Sequence, residues 1–319
     1  MTKPVMRAAR WLRSVAADGM AGAIALAALV LVLVLVVVMV LALGGAAAEA
    51  LPSPSPSPAP LAAESAGKPQ RIVSLNLCTD QLLMQIVDHG RIRAITALSQ
   101  DAQISGMAQE AQKLPATMGV AEEVIAMRPD LVLAGTFSTR ATVAILRRLG
   151  YEVVDFAPET DFASIKANIR KMARAVGEPA RGEAIVRSME AELARIPAPP
   201  AERPVYANYN ANGYTSGNGD LITAVANAAG FDMLGQRLDL AGPEPIALEQ
   251  MLVTRPDLID LGEDGNAPTL ATEIFRHPAL QRLIRERATV DVPAKYTICG
   301  SPRTMEAVHI MVEARRRLG

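Results

Sequence analysis

The residues able to do chemistry in this chain are few and spread out. Cys78 and Cys299 are its only thiols, and each stands beside the expected start of a helix. Unpaired N–H groups there lower a thiol's pKa and favour thiolate, so a soft pair of metal ligands is one reading. Free Cys is among the most buried residue types, so two small space-filling side chains at tight turns are the expectation, and a disulfide over so long a separation is not. His89, His277 and His309 lack metal-ligand spacing to one another, and no HExxH, Walker or EF-hand pattern occurs. Gly213-Tyr214-Thr215-Ser216-Gly217 departs from the G-x-S-x-G spacing of a nucleophile elbow, which disfavours that hydrolase chemistry. Two acids recur in matched settings. Glu122–Gly135 reads EEVIAMRPDLVLAG and Glu249–Gly262 reads EQMLVTRPDLIDLG, offset by 127 residues. In each, the leading Glu lies seven positions before the proline, at a helix start where a carboxylate also favours the macrodipole.

The elements that must hold these residues alternate. Arg71–Leu75, Arg93–Thr96, Asp130–Ala134 and Tyr151–Phe156 are apolar, β-branched runs read as strands, with helices over Thr79–Val87, Ala121–Met127 and Arg140–Leu149. Arg128 precedes a proline, which pushes it out of the α region and ends its helix. Phe162–Val176 is helical, and Pro179 opens a second helix to Ile196, whose Ile185, Met189, Leu193 and Ile196 form a stripe. The pattern then returns: strand Val205–Tyr209, helix Leu221–Ala229, helix Leu248–Val253, strand Asp257–Leu261, helix Ala279–Glu286, strand Thr289–Val292 and a closing helix Thr304–Leu318. Strand–helix alternation implies parallel sheets, and a repeat of this period is too long for a solenoid. The expected fold is α/β, with two similar lobes joined by one long bridging helix and a cleft between them.

Ahead of this lies different material. Residues 21–43 are an unbroken apolar run, preceded by Lys3, Arg7, Arg10 and Arg13, which reads as a signal peptide or a membrane anchor. A Pro/Ser-rich linker follows over 51–69, extended by its prolines. The expected divisions are 1–50 leader, 51–69 linker, 70–177 first lobe, 178–197 bridging helix and 198–319 second lobe. A formal net charge of −1 across 319 residues offers no electrostatic footprint for nucleic acid.

Taken in order, Arg71–Asn76 (RIVSLN), the first acidic segment, a connecting helix, Gly213–Ile222 (GYTSGNGDLI), the second acidic segment and Cys299–Val308 (CGSPRTMEAV) resemble the helical-backbone (class III) periplasmic substrate-binding proteins of ABC importers. The resemblance spans nearly all of 70–319 and is nearest to the vitamin B12, haem and iron–siderophore type. It implies a monomer that binds a metal chelate in its cleft and delivers it to a permease dimer with its ATPase. It implies no catalytic residues, no resident metal and no cofactor. By motif position, Glu122 and Glu249 are the permease-docking acids. Ligands in α/β sheets sit beyond the carboxyl ends of strands, which singles out Asn76, Cys78, Thr136, Phe137, Tyr209, Tyr214, Tyr296 and Cys299. Arg303 is placed to meet a ligand carboxylate or to bond loop carbonyls. The vitamin B12-binding type surrounds its corrin with tryptophans, whereas the only Trp here is Trp11. That departure leaves a smaller corrinoid, haem or a siderophore chelate open. The expected location is periplasmic, by export or by a tether at 21–43. Readings from other classes are an enzyme or metal-cluster scaffold on the same architecture, and a membrane-tethered ligand sensor.

Overall fold

The computed structural model describes residues 67–137, 140–262 and 269–318. The apolar run 21–43 and the spacer up to residue 66 lie outside the described residues. Among those described, no helix is long and apolar enough to cross a membrane.

The first lobe runs β1 (Ile72–Ser74), α1 (Leu77–Ile86), β2 (Ile92–Thr96), α2 (Ala108–Ala111), β3 (Ala116–Thr117), α3 (Ala121–Ala126), β4 (Leu131–Gly135), α4 (Arg140–Arg148) and β5 (Val153–Phe156). Its five strands are all parallel, in the order β3-β2-β1-β4-β5. Helices α5 (Phe162–Ala175) and α6 (Pro179–Leu193) follow. The second lobe holds β6 (Val205–Asn208), β7 (Tyr214–Thr215), α7 (Leu221–Ala228), β8 (Asp232–Met233), α8 (Leu234–Arg237), β9 (Glu244–Pro245), α9 (Leu248–Thr254), β10 (Leu258–Asp260), α10 (Pro278–Glu286), β11 (Ala288–Thr289) and α11 (Thr304–Arg316). Its parallel sheet has the order β11-β10-β6-β8, and β7 pairs antiparallel with β9.

Both sheets are buried on both faces, which is why their strands read as continuous apolar runs. Ile72, Leu131 and Leu133 face a core shared with α1, α5 and α6, while Val73, Val132 and Leu75 face Val124 and Leu146. In the second lobe Tyr206 and Leu258 pack toward α7 and α11, and Val205, Ala207 and Ile259 pack toward Met251, Leu280 and Leu283.

The repeated Arg-Pro-Asp-Leu segments do the same structural work in each lobe. The Asp130 carboxylate accepts the Gln70 and Arg71 N–H groups at 2.9 and 2.8 Å, and its own N–H donates to the Arg71 carbonyl. Asp257 accepts the Val205 N–H at 2.8 Å and donates to the Val205 carbonyl. Each Asp thus pins the entry of the lobe's first strand to the neighbouring strand. Arg128 and Arg255, before the prolines, take left-handed φ values of 49° and 48°. The proline does exclude the right-handed region, but the escape is to the helix-capping left-handed conformation rather than to an extended one.

Helix α6 bridges the two lobes, as its apolar stripe suggested. It lies along α5, where a Cβ on Gly182 would come 2.4 Å from that of Ala173, and Arg170–Glu183 and Lys166–Glu190 ion pairs flank the contact. Val186 and Met189 belong to the first lobe's core, while Leu193 and Ile196 pack against the second lobe's. Near the start of α6, Glu178 pairs with Lys68 at 2.9 Å and with the buried Arg91 at 2.7 Å, and Arg91 also donates to the Pro69 carbonyl. Lys68 and Pro69, expected to end the linker, are therefore held against the first lobe.

Two outcomes follow from these anchors. Asp130→Ala and Asp257→Ala each leave strand-entry N–H groups without their acceptor and should cost about 1–3 kcal/mol in urea unfolding. Asp80 on α1 accepts the Thr96 N–H and the Thr96 and Ser99 hydroxyls, yet burial outweighs these donors and drives its carboxyl from 3.8 up to about 7. A raised folded-state pKa gives stability that is present below the unfolded value and lost as pH rises through the folded one. Unfolding free energy measured from about pH 4 to about pH 8 should therefore fall less steeply in Asp80→Asn than in the parent; equal slopes would show that Asp80 does not titrate in this window.

Candidate functional site

In each sheet the strand order reverses at one place, between β1 and β4 in the first lobe and between β6 and β10 in the second. A crevice forms at such a reversal, outside the carboxyl ends of the strands. In the first lobe that place is occupied by Asn76, whose side chain accepts the Cys78 N–H at 2.9 Å and caps α1. Next to it, Cys78 is joined by a disulfide to Cys299, 221 residues away. The two cysteines are thus neither free space-fillers nor thiolate ligands. They are also not equivalent positions: Cys78 follows the central strand of its sheet, whereas Cys299 lies in the segment leading from an edge strand to α11.

The disulfide is one of several links that seat residues 295–303 on the first lobe. Gly300 donates its N–H to Glu159 at 3.2 Å, and a Cβ on Gly300 would fall 2.3 Å from that of Glu159. Glu159 is buried, which raises its carboxyl pKa against the opposing bonds from Asn168 and Gly300. The Arg303 side chain lies over Gly106, with its Cδ 3.1 Å from where a Cβ would stand. The stem of Arg303 thus packs at this junction.

The remaining expected contacts separate. The Thr136 hydroxyl donates to the Phe156 carbonyl at 3.0 Å, tying the end of β4 to β5. Phe137 is 69% exposed, with the Arg140 guanidinium 5.8 Å from its ring centre. Tyr214 on β7 is 45% exposed. Tyr296 packs partly on the second core, with the Lys295 ammonium 5.3 Å from its ring centre. Tyr209 is a correction: at 1% exposure it is a core residue, its ring edge against Phe275, and it presents no face to a ligand.

A cavity of about 400 Å³ opens at the second lobe's strand reversal. Asn208 and Asp260, the last residues of β6 and β10, form its base, with Asn210, Gly262, Asp220 and Ile298 around it. Asp260 is 4% exposed and accepts the Tyr206 hydroxyl at 3.0 Å and the Gly262 N–H at 2.9 Å. Burial nonetheless raises its carboxyl to about 6. Asn208 exchanges two hydrogen bonds with Ser216, at 2.9 and 3.0 Å, which fixes the Thr215-Ser216-Gly217 turn against β6. Sequence reasoning passed over Asn208, Asp220 and Asp260. The signal for Asp260 was an acid inside an otherwise apolar strand. The Ile298 carbonyl stands 3.9 Å from the Cys78 sulfur, so the cavity adjoins the disulfide. A larger hollow of about 560 Å³ lies at the amino ends of the same strands, but its Arg287 and Arg315 are engaged with Asp257 and with backbone carbonyls.

On the outer surface, Glu122 and Glu249 are both exposed in the first turns of α3 and α9. In each lobe it is the following residue, not the leading acid, that bonds the chain just ahead of the helix. Glu123 accepts the Thr117 hydroxyl at 2.6 Å and the Met118 N–H at 3.1 Å, and Gln250 accepts the Ala247 N–H at 3.0 Å. These local hydrogen bonds are made without the leading acids. Of the histidines, His309 pairs with Glu192 at 2.9 Å and His277 caps α10. Among the described residues, no group of three or more His, Cys, Asp or Glu is placed to hold a metal ion.

The sequence profile of a family described as periplasmic binding protein matches residues 72–288. Two curated proteins from strains of Halobacterium salinarum, each named cobalamin-binding protein, are 26% identical over 207 residues, covering 61% of this chain and 54% of theirs. The chain thus spans about half the length of the curated relatives it matches. Similar solved structures include the periplasmic heme-binding protein RhuT from Roseiflexus sp. RS-1 in apo form, with a TM-score of 0.64, 20% identity and coverage of 77% of this chain and 98% of that one. The vitamin B12 binding protein BtuF of Vibrio cholerae gives a TM-score of 0.57 at 18% identity, covering 79% of this chain and 98% of that one. At these identities the structures speak to the fold: two α/β lobes with parallel sheets.

The disulfide sets an outcome for this region. Cys78→Ser combined with Cys299→Ser should lower stability by about 2–5 kcal/mol in denaturant unfolding. Gly300→Ala should lower it further in that background, because the Glu159 contact is independent of the sulfurs.

Proposed function

The chain belongs to the family of periplasmic binding proteins, and from that premise we propose that it is the substrate-binding component of an ABC importer for a metal chelate of the corrinoid, iron–siderophore or haem type. It works in the periplasm, captures the chelate between its lobes and delivers it to a permease dimer driven by an ATPase. The observation that carries this reading is the cavity at the carboxyl ends of β6 and β10, placed at a strand reversal and beside the segment that joins the two lobes. The cobalamin-binding names of the curated relatives and the haem- and vitamin-binding names of the structural neighbours support the same ligand class. Phe137 and Tyr214 supply exposed aromatic faces for a flat macrocycle or an apolar chelate rim.

Glu122 and Glu249 act as the docking acids. They occupy matched places in the two lobes, as a two-fold permease requires, and it is their neighbours Glu123 and Gln250 that make the local hydrogen bonds to the preceding chain. Exposed carboxylates of this kind suit bidentate arginine partners.

Calorimetric titration of the purified protein against cobalamin, cobinamide, haemin and ferric siderophores tests the ligand class, and failure of all of them to bind would overturn it. Glu122→Arg with Glu249→Arg should abolish uptake in cells while leaving affinity for the chelate within about twofold, since neither residue lines the cavity. A fall in affinity to match the loss of uptake would remove the docking role.

A further inference from the structure

The cavity beside the disulfide also carries information about charge. Its polar lining comes from Tyr206, Asn208, Asn210, Ser216, Asp220, Asp260 and Thr297, and no lysine, arginine or histidine is among the described lining residues. The neighbouring cation in the sequence, Lys295, is drawn over the Tyr296 ring, and Arg303 lies over Gly106. The oxygen-rich groups therefore have no basic partner within the cavity. Asp260 accepts the Tyr206 hydroxyl, the Gly262 N–H and the Val292 backbone N–H, which leaves one of the roughly four lone-pair sites of its carboxylate. One Asp220 oxygen accepts the Gly217 N–H at 3.2 Å.

Such a lining rewards hydrogen-bond donors and penalises anions. A ligand carboxylate or phenolate entering here would lose its water and meet two carboxylates with no counter-charge, a cost that works against the wrong ligand as effectively as a clash. An amide N–H or an ammonium would instead find acceptors. The cavity's size is near the lower end of small-molecule sites, about 300–1,000 Å³, so it suits the periphery of a chelate rather than the whole of it.

We propose that this cavity selects, within the chelate class, ligands that are neutral or cationic and present amide or ammonium N–H groups, and that it discriminates against chelates with an anionic periphery. The inference rests on the reading given under Proposed function and narrows it: corrinoids with amide side chains and ferric trihydroxamates fit, whereas haem propionates and ferric tris-catecholates do not.

The test compares dissociation constants of the purified, oxidised protein at neutral pH and low salt for four probes: diaquacobinamide, a cationic ferric trihydroxamate, haemin and a ferric tris-catecholate. The first two should bind at least roughly tenfold more tightly than the last two. Asp220→Asn should weaken the cationic probes by roughly tenfold and leave or improve the binding of haemin. Asp220 is half-buried at a loop, so this variant avoids disturbing the buried Asp260, and its thermal melt reports that it is folded. Tighter binding of haemin or the catecholate than of the cationic probes overturns the inference while leaving the chelate-binding reading intact. A preference that neither Asp220→Asn nor Asp260→Asn alters removes the assignment to this cavity. Binding of none of the four overturns the chelate-binding reading itself, and the inference with it.

Discussion

The clasp that Asp130 and Asp257 make on the neighbouring strand is the constraint from which the rest of this structure follows. In a parallel sheet a register slip of one residue turns every side chain to the opposite face. By accepting the strand-entry N–H of β1 or β6, each Asp sets where β4 or β10 stands against its neighbour. Ile72 then faces Leu131, and Tyr206 faces Leu258. With the register fixed at the amino ends, the carboxyl ends are fixed too. Asn76 arrives where it caps α1, and Asn208 and Asp260 arrive side by side at the base of a cavity. The prolines and the left-handed arginines before them stop the preceding helices at the right place for this to happen.

The two lobes are held together by more than one device, and the devices differ in kind. Helix α6 contributes apolar burial to both cores. The segment before α11 contributes a covalent bond, a hydrogen bond to a buried carboxylate and a glycine whose missing side chain allows close approach. The first is spread over many weak contacts, and the second is local and directional. Together they resist both sliding and separation of the lobes.

Most of the architecture was readable because long periodic elements announce themselves. The helices over α1, α5, α6 and α11 fall within a few residues of where apolar spacing put them, and the repeat marked the two lobes. What escaped was short or relational. Strands β3, β7, β8 and β9 are two residues each, too brief for any alternation to register, and they exist because a neighbouring strand supplies their partners. The pairing of Cys78 with Cys299 depends on how the second lobe folds back over α1, which no local spacing encodes. Tyr209 sits at a strand end, where the rule for α/β sheets points to ligands, but an aromatic there is as useful to the core beneath. In Asp260 the opposite occurred: an acid ending a buried strand was treated as part of the repeat, although its low exposure makes it costly unless something is there to meet it.

The bond between Cys78 and Cys299 has one consequence that belongs to the chain's connectivity. It joins residues 221 positions apart, and between them lie the whole of α6 and most of both lobes. A protease that nicks any exposed turn within that ring frees no fragment, and the cut halves stay linked through sulfur. The molecule can be clipped once and still travel as a single body until a reductant reaches it.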